Sequence, residues 1–431
     1  MGSLRLNLAW FGRVTDYSRH HSCNEKIMPA ANEREFSIEV IQKLRDAGHE
    51  ALWAGGCVRD LLLEREAGDF DVATSARPEE VRELFKRTLN VGAAFGVIIV
   101  LGKKSQGQIE VATFRADGEY LDGRRPNEVT FCSAEQDALR RDFTINGMFY
   151  EPIAKNVIDY VGGKQDLEAE VIRAIGNARD RFEEDKLRLL RAVRFAARLN
   201  FALEPETAAA VREMAVQINV VSAERIAEEM RKMLRHPHRA IAMQLCRDHE
   251  LLNNVFPELA SASDEQWAVV HGVIGRLEPS ASFEVAMASL LSSLGKKAVS
   301  EICRRLKLAN KESDAIVWLV EYINALSNAS EFSLAKLKRL LAKPLVRELI
   351  ALVTARDEVS DKVDSAFCCD YLANTPADVI DPTPLLTGDD LIANGFKPGP
   401  KFKSLLDSVR DAQLNGEITS FEAALELAKQ L

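Results

Sequence analysis

Two rhythms divide this chain, and the change between them falls near residue 170. Before it, short apolar runs of strand length alternate with helical patterns. After it, the apolar residues recur at the three- and four-residue spacing of amphipathic helices. A chain divided in this way folds as α+β in its first part and as helix packed on helix in the remainder. The first part predicts a helix over 35–47 ended by Gly48, and an apolar strand over 51–54 running into Gly55-Gly56. An alternating, half-buried strand follows over 69–74. Pro78 opens a helix over 78–89, in the favoured first-turn position. GVIIVLGKKSQGQIEVATF then predicts a hairpin about the polar turn 103–108, and 129–131 and 156–161 predict further strands. The sheet these make is small and mixed or antiparallel.

Helices are predicted over 183–199, 205–216, 222–235 and 238–251, and further ones to the end, with a proline-rich break at DPTPLL from 381. The expected organisation is an N-terminal extension (1–27), a head (28–170), and an elongated helical neck (171–240), body (241–380) and tail (381–431). Residues 1–27 show no period and no signal-peptide core, and Met28 directly precedes the first helical pattern. They are expected to be a disordered tail or a start placed too early, with a basic targeting peptide as the alternative.

Composition narrows the function. The formal net charge is -9 over 431 residues, which argues against a general coat of nucleic acid but allows a local basic strip. No aliphatic run can span a membrane. The seven cysteines form no CxxC pair, as expected of reduced thiols in a cytoplasmic protein.

Three features carry chemistry. In GDFDVATSA, Asp69 and Asp71 lie two apart, so a strand puts both on one face. Neighbouring carboxylates repel, and they suit a hard cation such as Mg²⁺ held with substrate phosphates. Glu110, on the hairpin's second strand, is a third candidate. Upstream, GGCVRDLLL turns from strand to helix on two glycines, a shape that lets backbone approach a phosphate, with Arg59 in the first turn. It is neither a Walker loop nor a Rossmann fingerprint.

The third feature is EEDKLRLLRAVRFAARL. At about 100° per residue, Arg188, Arg191, Arg194 and Arg198 fall within roughly 120° of one helix face. A solvated, salt-bridged face is the ordinary explanation, but acids stand only at the helix start, leaving Arg194 and Arg198 without partners at helical spacing. Asp185 and Arg188 would lie side by side, an acceptor beside donors. That order suits the amino-and-ring-nitrogen edges of cytosine and adenine and mismatches uracil and guanine. The remaining arginines suit a triphosphate.

AGGCVRDLLLEREAGDFDVATSA, IEVATFRADGEYLDGRRPNEVTF, RRDFTINGMFY, VIDYVGGKQDL, EEDKLRLLRAVRFAARL and VSAERIAEEMRKML follow one another in this order over 50–235. Together they resemble the class II tRNA nucleotidyltransferase and poly(A) polymerase family of the polymerase-β-like nucleotidyltransferase superfamily. LLTGDDLIANGFKPGPKF is similar to that family's C-terminal segment. The resemblance implies a nucleotidyltransferase palm followed by helical neck, body and tail. It implies catalytic Mg²⁺ on Asp69 and Asp71, with Glu110 as third carboxylate. Gly56 and Arg59 would meet the triphosphate, and Arg141 the sugar or phosphates. Asp185 and Arg188 would select the base, with Arg191 and Arg194 on phosphate. The loop 117–125, with Asp117, Gly118, Gly123, Arg124 and Arg125, would be the flexible element that lets base choice switch. The implied partners are CTP, ATP and the tRNA 3′ end. Lys397, Lys401 and Lys403 are candidates for phosphate contact in the tail or for a solvated cluster.

The family's poly(A) polymerases usually carry a Gly-Arg-Arg-Phe-like segment between the carboxylate strands. VGAAFGVIIVLGKKSQGQIEVATF lacks it, which favours CCA addition. The 117–125 loop disfavours a CC-only enzyme and leaves an A-only one open. Of the histidines, His236, His238, His249 and His271 follow the neck's start, and none precedes an Asp, so no appended metal phosphohydrolase is expected. HPHR at 236–239 is expected to be a loop. Two other classes compete. A small-molecule nucleotidyltransferase needs no arginine row, and a non-catalytic RNA-binding protein would be expected to lose the carboxylates.

Overall fold

Helix α1 (Ala30–Asp46) turns Phe36, Val40, Ile41 and Leu44 inward, one apolar face at helical spacing. It stops at Gly48, whose φ of +90° ends the helix and whose N–H donates to the Arg45 carbonyl at 2.8 Å. The computed structural model describes residues 30–92, 96–103, 106–117, 129–360 and 364–431. Residues 1–27, and Gly118, Gly123, Arg124 and Arg125 of the expected loop, lie outside them. Asp117 closes a short strand.

The central sheet uses β1 (Ala51–Ala54), β2 (Val72–Thr74), β3 (Thr88–Gly92), β4 (Val97–Leu101), β5 (Gln108–Thr113), β8 (Phe149–Glu151) and β9 (Asn156–Ile158), in the order β3-β4-β5-β2-β1-β8-β9. β6 (Arg115–Asp117) and β7 (Val129–Phe131) form a separate antiparallel ribbon. The sheet is mixed, as expected. β2 and β5 run parallel, and the other neighbours run antiparallel. Helices α2 (Gly56–Leu62), α3 (Pro78–Leu84), α4 (Ala134–Leu139) and α5 (Gly163–Glu168) complete the head.

Helix α3 is shorter than the expected 78–89. Thr88 and Leu89 leave it to pair with Val100 and Ile99, so an open edge beside the hairpin overrides a continuing helical pattern. The strand expected over 69–74 begins at Val72, although the Asp71 carbonyl still accepts from Ala54 N at 3.1 Å. β10 (Val171–Ile172) and β11 (Ala202–Leu203) pair in parallel where only helices were expected. They are too short to show a period.

The helical remainder starts with α6 (Ala178–Glu184), α7 (Arg188–Leu199), α8 (Pro205–Met214), α9 (Ala223–Leu234) and α10 (Arg239–Asp248). The helix expected over 183–199 is thus two helices with a break at 185–187. HPHR is the expected turn leading into α10. Helix α7 packs on α9 and α10. Its Leu189, Leu190, Ala192, Val193, Ala196 and Ala197 belong to a core that runs from Phe36 to Ile380. Leu386, Leu391, Val409, Ala424 and Ala428 make a separate small core near the C-terminus. Among the described residues, no helix is long and apolar enough to cross a membrane.

Candidate active site

The site begins where β1 ends. Gly55 takes φ +74°, open to glycine at little cost, and a Cβ there would lie 3.2 Å from Arg141 Nη1. Gly56 then starts α2. Arg59 is nearly buried: its Nε donates to Asp60 at 2.8 Å and its Nη1 to Asn146 Oδ1 at 2.8 Å. It borders the cleft as a fixed positive wall.

The segment leading into β2 brings the carboxylates in. Asp69 and Asp71 flank buried Phe70, so both turn outward together. The parallel register pairs Val72 with Val111, which sets Asp71 level with Glu110 one residue back on the neighbouring strand. Asp71 is exposed to solvent but low in the cleft. The surrounding protein, then the charges of Glu110 and Asp69, push its carboxyl up to about 6, against the pull of Arg141. All three carboxylates border one cleft. Among the described residues, no three His, Cys, Asp or Glu side chains are gathered as a ready-made metal cluster.

α4 and the residues after it supply the next wall. Asp137 accepts from both Arg140 and Arg141, at 2.7 and 2.9 Å. Burial alone would raise the Asp137 carboxyl, but the two guanidiniums outweigh it and hold it below the usual range. Arg141 also lies 5.0 Å over the Phe149 ring. Asp142 faces α7 and takes Arg191 Nε at 2.8 Å. Against burial, Arg191, then Arg188 and Asn146, bring Asp142 down to about 2.

The break between α6 and α7 gives the last wall. Asp185 is extended, with φ -145° and ψ 104°, and its Oδ1 accepts from Leu187 N at 3.0 Å. This Asx-type turn ends one helix and leads into the next. Asp185 and Arg188 are therefore not stacked on one helical face. Arg225 of α9 grips Asp185 at 3.1 and 2.6 Å. Arg188 turns to the Arg181 carbonyl at 2.8 Å, the Arg140 carbonyl at 3.0 Å and Glu184. Arg194, lacking a partner on its own helix, pairs with buried Glu229 of α9. Phe195 organises the row, with Arg59, Arg191 and Arg194 lying 5.4, 5.4 and 4.1 Å from its ring centre.

The cleft so enclosed is about 740 Å³ and brings together Gly56, Arg59, Asp69, Asp71, Glu110, Arg141, Asp185, Arg188, Arg191 and Arg194. Its lining holds ten arginine and lysine side chains against five carboxylates. In a chain of net charge -9, that answers why the arginines are concentrated here. Sequence reasoning missed Asp142, Asn146, Phe195, Arg225 and Glu229. Asp142, Asn146, Arg225 and Glu229 meet arginine or carboxylate partners far along the chain, so no local spacing marks them, and Phe195 reads as one more apolar residue of α7.

Comparison with known proteins gives the family. Residues 51–173 match the "Poly A polymerase head domain" model, 200–263 the "Probable RNA and SrmB- binding site of polymerase A" model, and 280–428 the model for tRNA nucleotidyltransferase domain 2. A CCA-adding enzyme of Geobacillus stearothermophilus is 36% identical over 397 residues, covering 89% of this chain and 93% of the relative. One from Lactobacillus helveticus is 32% identical, covering 90% and 95%. The crystal structure of the Bacillus stearothermophilus CCA-adding enzyme in complex with CTP superposes with a TM-score of 0.76 at 28% identity, over 93% of this chain and 98% of that one. The chain belongs to the tRNA nucleotidyltransferase and poly(A) polymerase family, among its CCA-adding enzymes.

Proposed function

We propose that the protein adds C, C and A, drawn from CTP and ATP, to the 3′ end of tRNA without a template, releasing pyrophosphate. The observation that carries this reading is the single cleft in which three carboxylates face an arginine wall containing Asp185. The carboxylates are short of positive charge, since Glu110 and Asp69 raise Asp71 and only Arg141 is set against them. A divalent cation fits there, Mg²⁺ on the chemistry of the oxygen donors, held by Asp69 and Asp71 with Glu110 alongside and completed by substrate phosphates. Bound there, it would supply charge neutralisation at the attacking and leaving oxygens.

The chain's own groups position and select. Gly56, Arg59 and Arg141 border the place for triphosphate and sugar, and Arg191 and Arg194 add fixed positive charge that needs no reorganisation during reaction. Asp185 offers acceptors to an exocyclic amino group, steadied by Arg225, and Arg188 of the same cleft would turn from its carbonyl partners to donate. That arrangement favours cytosine and adenine and leaves buried polar groups unpaired against uracil and guanine. The loop begun by Asp117 would then allow the switch from C to A. The buried thiols of Cys57, Cys246 and Cys303 suit a cytoplasmic protein.

The test is Asp71→Ala with a tRNA transcript ending in CC, followed by ATP incorporation and by direct RNA titration. Incorporation should fall by more than about a thousandfold, with RNA affinity held within roughly threefold. Incorporation that survives would place the chemistry elsewhere.

A further inference from the structure

Beyond the arginine wall the cleft opens into a second hollow of about 540 Å³ between α7, α9 and the start of α10. The two share Arg194, Arg198 and Lys232. At the head end of α7, Arg188 reaches the Arg140 carbonyl and Arg191 reaches Asp142. At the far end Arg198 stands beside the His236–His238 turn. Ten residues of helix separate Arg188 from Arg198, a rise of roughly 15 Å. Arg235, His236 and His238 line the hollow without lining the cleft.

The hollow is basic and under-neutralised. Arg198 and Arg235 are exposed, and among the described residues neither has a carboxylate partner. The lining's one carboxylate, Glu228, is taken by Arg231 at 2.6 Å. Behind the turn, buried Arg239 spends its guanidinium on the carbonyls of Leu234, Leu277, Glu278 and Pro279 at 2.9–3.1 Å, so its charge also stays uncompensated. Burial first, and then the charges of His238, Arg198, Arg239 and Arg65, bring His236 down to about 4. His236 Nδ1 accepts from His238 N at 3.1 Å, which leaves its Nε2–H to donate.

This chemistry selects an anion but not a base. The hollow's free side-chain charges, Arg198 and Arg235, are cationic, and Glu228, its carboxylate among the described residues, is already held by Arg231 and so is not free to share a cation with a triphosphate. Such a surface holds phosphodiester without regard to sequence. We propose that this hollow, through Arg198, Arg235 and His236, holds a backbone phosphate of the RNA strand just upstream of the 3′ end being extended, an inference that rests on the 3′-end-extension reading of the cleft.

The experiment titrates the full-length chain with a labelled RNA ending in CC, without nucleotide, for the wild type, Arg198→Ala, Arg235→Ala and the double variant. CTP and pyrophosphate are titrated separately. Both side chains are exposed and unpaired, so the variants should fold, and Arg198→Lys should recover much of the affinity. RNA binding should weaken roughly three- to tenfold per arginine, and the slope of log Kd against log salt should fall by about 1 for each. CTP and pyrophosphate affinities of Arg235→Ala, whose side chain lines the hollow and not the cleft, should stay within about twofold. Unchanged RNA affinity and slope would overturn the proposal. So would a matching loss of CTP or pyrophosphate affinity in Arg235→Ala, which would make the hollow part of the nucleotide or product site. A wild type that extends no RNA would count against the function reading alone, because the RNA titration does not depend on turnover.

Discussion

At the scale of single residues, charge in the cleft is fixed by pairs that meet from far along the chain. Arg191 and Asp142 are 49 positions apart, Arg225 and Asp185 40, and Arg194 and Glu229 35. The carboxylates of Asp69 and Asp71 could be recognised from two-residue spacing, and Arg59 from its place after two glycines. The partners of the arginine row could not, because ion pairs across such separations leave no periodic trace. The Asp142 pair gives a pH prediction. Held at about 2, its carboxyl lies below the ordinary aspartate range of about 4, so its stabilisation is complete above about pH 4 and is lost as pH falls toward 2. By linkage the contribution is about 2 kcal/mol. Denaturant midpoints of the wild type should therefore drop more steeply over that window than those of Asp142→Asn, and parallel curves would contradict the assignment. Arg191→Ala, which strands a buried carboxylate, should cost about 3–5 kcal/mol at neutral pH.

At the scale of elements, the break between α6 and α7 matters most. The apolar rhythm of EEDKLRLLRAVRFAARL runs straight through it, so one helix was the natural expectation. Asp185 interrupts that rhythm by folding its carboxylate onto the Leu187 amide and by holding Arg225 of another helix. The same pattern error made Thr88 and Leu89 a helix end when they form an edge strand. The hairpin at 97–113 was legible because its turn residues and both apolar runs are local. The break faces Asp185 into the cleft, and this sets a specificity prediction. Asp185→Ala should raise the use of UTP and GTP relative to CTP and ATP by about 1–3 kcal/mol of lost discrimination, roughly 5- to 150-fold in the ratio of kcat/KM. Arg225→Ala should shift that ratio in the same direction by releasing the carboxylate. Unaltered exclusion of UTP and GTP in single-nucleotide assays would remove Asp185 from base selection.

At the scale of the whole molecule, an acidic chain keeps one strongly basic surface for its substrates. Helix α7 lies in a core that runs from the head into the helical remainder, so the base-selecting wall and the carboxylate strands are set by the same packing. The C-terminal helices enclose their own small core and dock through Lys338, whose Nζ donates to the Leu414 carbonyl at 3.0 Å. Lys401 and Lys403 are exposed at the start of the helix Lys401–Asn415, and backbone contact there is a proposal that substitution tests. Replacing both with alanine should reduce the salt slope of tRNA binding by up to about 2 while leaving ATP affinity unchanged. The division into an α+β head and a helical remainder was readable from rhythm alone, whereas the docking of remote helices depended on contacts that sequence does not order. The most direct test of the account incubates the protein and Mg²⁺ with transcripts ending before CCA, after CC and after CCA, supplying CTP, ATP or both, and measures product length. The account predicts additions of three, one and no nucleotides when both are present. Extension of the CC end alone, or an open-ended adenosine tail on every transcript, would contradict it.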